Sequence, residues 1–122
     1  MKPQSAKAKG RKLCKEVKAR LDDTFGFNDG DVEVRSSGAN GVDLMLSHHA
    51  RTLFPYSVEA KNVEKLSIWS ALAQAEENNL PKLHPLLIFS RNRSRNYVAL
   101  SLEHFLELVK ANAGVVRVDD GG

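Results

Sequence analysis

The 122-residue chain is 42% hydrophobic and 27% charged, which describes one soluble domain able to bury a single core but not two. Its 18 Lys and Arg stand against 15 Asp and Glu for a net charge of only +3, and no run approaches the roughly 18 apolar residues of a membrane span. The single cysteine, Cys14, excludes an internal disulfide or a Cys-rich zinc site, and no apolar run follows the N-terminal lysines, so an intracellular protein without a secretory signal is expected.

From about residue 9 to Asp23, Leu13, Cys14, Val17 and Leu21 recur at helical spacing and predict a basic amphipathic helix. Residues 1 to 20 hold eight Lys and Arg against Glu16 alone, a local net charge of +7, so the remainder sums to −4. A basic arm over residues 1–9 that continues into a basic helix carrying Lys9, Arg11 and Lys12 suits a polyanion, because each neutralised phosphate releases counterions. Nucleic acid is the expected partner. After the turn-rich Phe25 to Gly30, Val32 and Val34 alternate with charged residues and predict a strand ending near Arg35. A loop over Ser36 to Gly41 follows. Val42, Leu44 and Leu46 then alternate with Asp43, Met45 and Ser47, giving a second strand with two unlike faces. A short connection, with His48 and His49 in a loop, leads to a third strand over Tyr56 to Lys61.

Ser67 is the expected cap of a helix that carries Ile68, Leu72 and Ala75 on one face and stops before Pro81. On that helix Trp69 is expected as an anchor that covers the sheet. The apolar run Pro85 to Phe89 reads as a strand buried on both faces, and Tyr97 to Leu100 as a fifth strand. The turn between them holds a second basic cluster, Arg91, Arg93 and Arg95. Ser101 caps a last helix showing Leu102, Phe105, Leu106 and Val109 and ending near Gly114, beyond which residues 115–122 form a loose tail. The order predicts a single α/β domain over residues 1–122, built on a mixed five-stranded sheet with a right-handed parallel crossover between the third and fourth strands. His84 and His104 share no spacing with the other histidines and read as surface or capping residues.

The chemistry is predicted on the third strand. Glu59 and Lys61 are two residues apart, so a strand sends both to one face while Val58 and Ala60 point the other way. Asp43, on a strand expected alongside, can join them. Two carboxylates converging on one spot repel unless a cation lies between them, and hard oxygens without His or Cys favour Mg²⁺ or Mn²⁺. Phosphodiester hydrolysis uses these parts: the metal stabilises developing charge and acidifies a water, and a lysine positions that water or helps to deprotonate it. Taken alone, Glu59-Ala60-Lys61 reads as a salt bridge on a solvated sheet face.

The assembly Gly41-Val42-Asp43, then Val58-Glu59-Ala60-Lys61-Asn62, then Gln74 on the next helix, all preceded by a basic helix with Glu16, resembles the PD-(D/E)xK nucleases, and among them the small Holliday-junction-resolvase-like and phage-type endonucleases. The resemblance spans about residues 9 to 100 and departs from the pattern at Val42, where the family letter is proline. It implies a restriction-endonuclease-like core with three antiparallel strands before the crossover helix. It also implies Asp43 and Glu59 as metal ligands with the Ala60 carbonyl as a third, Lys61 as the catalytic lysine, and Glu16 and Gln74 as further site residues. Arg35, Ser36 and Ser37 resemble the segment that approaches the DNA backbone. The activity implied is a Mg²⁺-dependent DNA endonuclease, with Mn²⁺ as substitute. It would act on branched DNA in the cytoplasm of a prokaryote or phage-infected cell, as a homodimer because a junction presents two symmetry-related strands. Two other readings fit the same residues: a restriction-like, nicking or repair nuclease on duplex DNA, and a non-catalytic DNA-binding protein on this fold.

Overall fold

The structure, a computed structural model, describes residues 5–35 and 41–114. The first helix, α1 (Ala6–Phe25), starts one turn earlier than its apolar periodicity suggests, because the Ser5 side chain accepts from the Ala8 N–H and caps the turn. Lys7, expected in an arm, is therefore helical. The helix stops at Gly26, whose φ of 66° is left-handed and whose N–H reaches back to the Asp22 carbonyl. Leu13, Cys14, Val17 and Leu21 are its buried face, as predicted.

Two short strands follow, β1 (Val32–Val34) and β2 (Leu44–Leu46), paired antiparallel with Val32 opposite Leu46. The connection after β2 is not a plain loop. Ser47 accepts from the Ala50 N–H and caps a six-residue helix, α2 (His48–Leu53), which places His48 and His49 on a helix. The third strand, β3 (Tyr56–Asn62), runs into α3 (Ile68–Glu77) and then β4 (His84–Ser90), which pairs parallel with β3. The Ser67 hydroxyl donates to the Ser70 hydroxyl and makes no bond to the helix backbone. The fifth strand, β5 (Tyr97–Ala99), is antiparallel to β4, and Ser101 caps α4 (Leu102–Asn112). Gly114 after it is left-handed, with φ of 69°.

The expected five-stranded sheet is divided into a two-stranded sheet, β1-β2, and a three-stranded sheet ordered β3-β4-β5. The α/β class, the antiparallel β1-β2 pair and the parallel β3-β4 pair stand; the continuous sheet does not. The reason lies at Asp43, just before β2. Its N–H donates to the Val58 carbonyl at 2.9 Å, and the ladder between β2 and β3 extends no further as regular pairing.

Both faces of β3 are covered, so Ser57 to Ala60 are all buried. Val58 and Ala60 join Leu13, Cys14 and Val17 of α1 in the core, with Val32, Leu44, Ile88 and others. Ser57 and Glu59 point the other way: the Ser57 hydroxyl accepts from Leu80 N–H beyond α3, and Glu59 meets Asn78 at its end. Trp69 departs from expectation. It is 81% exposed, and small Ala71 and Ala75 are the residues that bury α3 against the sheet. No helix among the described residues is long and apolar enough to cross a membrane.

Leu13 is completely buried in this core. Truncation by Leu13→Ala is expected to lower unfolding free energy by about 3 kcal/mol, within the range for buried leucine. Urea titration followed by far-UV circular dichroism measures it; a loss below about 1 kcal/mol would mean α1 is not packed as described.

Candidate active site

Asp43 is fixed through three atoms. Its carbonyl accepts from Arg35 N–H at 3.0 Å, its N–H donates to the Val58 carbonyl, and its Oδ2 accepts from Ala60 N–H at 2.6 Å. In extended backbone a residue's N–H and C=O leave on the same side. The Ala60 carbonyl therefore points to the edge of β3 where the Asp43 carboxylate lies. Gly41 holds φ of 97°, a left-handed backbone that carries the chain into Val42 and Asp43.

Glu59 and Lys61 share one face of β3, as strand alternation predicts, with Glu59 Oε2 3.4 Å from Lys61 Nζ. That face is not solvated. Glu59 is only 3% exposed, and its Oε1 accepts from Asn78 Nδ2 at 3.3 Å. The buried carboxylate therefore has an amide on one oxygen and an ammonium near the other.

A cleft of about 440 Å³ opens onto Asp43, Glu59, Ala60, Lys61 and Gln74, with Lys7, Arg11 and Arg35 among its cationic lining. A second hollow of about 710 Å³ reaches the same two acids from the α3 side, past Ser70, Gln74 and Glu77. Gln74 lines both. Asn62 lines the first cleft and donates through Nδ2 to the Lys9 carbonyl, but its Oδ1 is buried without a partner. An orphan acceptor at a wet cleft is a place for a water or a substrate donor.

Burial raises the affinity of both acids for a proton. For Asp43 it outweighs the lowering by Ala60 N–H, Lys61 and Arg35; for Glu59 the Asp43 charge adds to it, against Asn78 and Lys61. Cys14, on the α1 face beside them, is pushed up to about 11 by burial and by both carboxylates, so it stays a thiol and not a thiolate ligand. What remains is a pair of carboxylates, hard oxygen donors of the kind that suits Mg²⁺ or Mn²⁺. The residues thus fit a divalent ion held by the two carboxylates and the Ala60 carbonyl. Among the described residues no group of three or more His, Cys, Asp or Glu gathers as a metal cluster.

The structure brings together Asp43, Glu59, Ala60, Lys61, Gln74, Arg11 and Arg35. It does not bring Glu16 to them. Lys7, Gly10, Arg11 and Cys14 face the cleft, whereas Glu16 lies on the far side of α1, lining a separate hollow with Arg20 and Arg95. Lys9 is 3.7 Å from Glu64, Lys12 is exposed on α1, and Arg91, Arg93 and Arg95 are exposed in the β4-β5 turn, where Arg93 is left-handed at φ of 60°. Ser36 and Ser37 lie outside the described residues. Sequence reading assigned none of Lys7, Cys14, Asn62 and Asn78 to the site, although Cys14 stood on the core face of the first helix and Asn62 closed the strand segment that carries the resemblance. Lys7 and Cys14 carried a further signal, since they repeat at helical spacing with Arg11. No family model matches the chain, and no curated protein or solved structure matches it either.

A carboxyl whose proton affinity is raised by folding opposes folding once it ionises. The stability lost is absent below the unfolded value and is incurred as pH rises through the folded one. In protein freed of divalent ions, Glu59→Gln is therefore expected to raise the melting temperature near pH 7 by about 3–6 °C, the shift that roughly 1 kcal/mol produces in a domain of this size. The gain should fade as pH falls through the ordinary glutamate range of about 4, below which wild-type Glu59 is protonated in both states. A variant that melts lower than wild type at pH 7 would show the Lys61 and Asn78 contacts outweighing burial.

Proposed function

We propose that the chain is a Mg²⁺-dependent DNA endonuclease, structure-specific for branched DNA and working as a homodimer in the cytoplasm of a prokaryote or phage-infected cell. The observation that carries this reading is the convergence of Asp43, Glu59 and Lys61 on one cleft, with Lys61 ion-paired to a buried Glu59 and Asp43 bonded to the strand that bears both. The resemblance to PD-(D/E)xK nucleases assigns metal binding and catalysis to these same residues.

Asp43, Glu59 and the Ala60 carbonyl would hold the divalent ion, which supplies charge stabilisation at the phosphate and acidifies a water there. The remaining work belongs to the chain. Lys61 is part-exposed, with 30% of its side chain accessible, so its ammonium can hold a phosphate oxygen while Glu59 keeps it in place. Asn78 orients Glu59 in turn. Gln74, between the two hollows, can hydrogen-bond the attacking water or a phosphate oxygen. Lys7, Arg11 and Arg35 line the approach and neutralise the flanking backbone; Lys9, Lys12, Arg91, Arg93 and Arg95 extend the basic surface. Glu16 joins the site only if the first helix moves or the substrate bridges to it.

The test is cleavage by purified protein of four-way junction, flap, nicked and linear duplex DNA with Mg²⁺, Mn²⁺ or EDTA. Wild type is expected to cut the junction in preference to linear duplex and to be inactive in EDTA. Asp43→Asn, Glu59→Gln and Lys61→Ala should each reduce the rate by at least about 100-fold, the scale of losing one charge-stabilising group, while junction binding persists. Binding should weaken steeply with salt. Near-normal cutting by Glu59→Gln would remove the proposal. Preference for linear or nicked duplex would transfer it to a restriction-like or repair enzyme, and binding without strand breaks or metal dependence would leave a DNA-binding module.

A further inference from the structure

Helix α4 contributes no buried residue to the fold. Leu102, Phe105, Leu106, Leu108 and Val109 are all exposed, Leu102 by 71%, and Tyr97 and Val98 on the adjoining edge strand β5 are exposed as well. What fastens α4 to the body is polar and one-sided. His104 stacks on His84 with centroids 3.8 Å apart, and its Nε2 lies 2.7 Å from the Tyr56 hydroxyl. Its Nδ1 lies 3.0 Å from Glu107 Oε1, so Nδ1 carries the proton and, in the neutral ring, Nε2 accepts from Tyr56. His104 leaves the helix on the side opposite Leu102, Phe105, Leu106 and Val109, whose spacing of three and four residues makes one continuous apolar stripe. Contiguous exposed apolar side chains are a feature of interaction surfaces.

We infer that a second copy of this chain covers the stripe, with two α4 helices packed antiparallel about a two-fold axis and β5 flanking the seam. The pattern itself selects this occupant. When the helix is laid against its own reverse, Leu102 of one copy meets Val109 of the other and Phe105 meets Leu106, so the spacing of the stripe is unchanged by the reversal. Glu103 and Lys110 lie along one flank of the stripe, and the same reversal brings Glu103 of each copy toward Lys110 of the other. A foreign partner would not require both complementarities within one helix. The inference deepens the homodimer of the proposed function and rests on that reading for what the pairing is for. Its observations, a stripe left exposed among the described residues and its charge pattern, are independent of it.

Sedimentation equilibrium of the full chain over the micromolar range, without DNA, tests the pairing. Wild type is expected to be a dimer and Leu106→Glu a monomer of unchanged far-UV circular dichroism. Glu103→Lys should raise the dissociation constant by about tenfold or more, and adding Lys110→Glu to it should recover most of the loss. A wild-type protein that stays monomeric, a Leu106→Glu variant that dimerises like wild type, or a charge reversal without recovery would each overturn the antiparallel seam. Failure here in a protein that still cuts DNA refutes the pairing alone, whereas a dimer that follows these expectations and cuts nothing refutes the nuclease reading alone.

Discussion

Asp43 is the stitch of the molecule. Through its carbonyl it extends the β1-β2 pair to Arg35, through its N–H it meets Val58, and through its carboxylate it satisfies Ala60. The side chain thus does for the edge of β3 what another strand's backbone would otherwise do. A buried strand edge must have its N–H groups paired, and spending a carboxylate on one of them places negative charge where regular pairing would have left none. The divided sheet and the location of the acids are therefore one fact: the regular ladder ends where the carboxylate enters.

That charge governs its surroundings. Glu59 on the next residue of β3 is sequestered under α3, and each acid is costly to ionise because of burial, Glu59 also because of its neighbour. Protein interiors tolerate such a pair when cations or hydrogen bonds compensate it, and here Lys61, Arg35 and the Asn78 amide supply part of that compensation. Partial compensation beside an open cleft is the arrangement from which the proposed function is argued. A buried Glu59 beside a half-buried Asp43 is a costly pair if it serves only stability, where apolar side chains of similar size would do better.

Local periodicity carried most of the elements into view. The α1 core face, the alternation of Glu59 with Val58, the doubly buried β4 and the Ser101 cap are all properties of neighbouring residues, and a sequence displays them directly. Helix α2 was concealed because its six residues bury only Ala50 and show no stripe; its one signal was Ser47, which could cap a helix or end a strand. The division of the sheet was invisible for a different reason. Alternation in Val42, Leu44 and Leu46 reports which face is buried but not whether the strand finds a partner along its whole length. Trp69 misled through composition alone: a large aromatic beside Ile68 suggests an anchor, yet the close approach of α3 to β3 and β4 is made by two alanines. The His84–His104 stack, joining residues of two elements far apart in sequence, had no spacing to betray it.

Position around a helix also decides which of the site residues converge. Lys7, Arg11 and Cys14 recur at intervals of three and four and so turn one face of α1 to the acids, whereas Glu16 falls about half a turn away from them. The same geometry applies to α4, where His104 points inward and four apolar residues point outward. In α1 the buried stripe and the cationic stripe are side by side, so one helix both packs the core and lines the cleft. In α4 the inward side is a single histidine, too little apolar area to hold a helix whose outward side is more hydrophobic than its inward one. A helix arranged in that way leaves its larger apolar side open, and the proposed pairing with a second α4 would cover it.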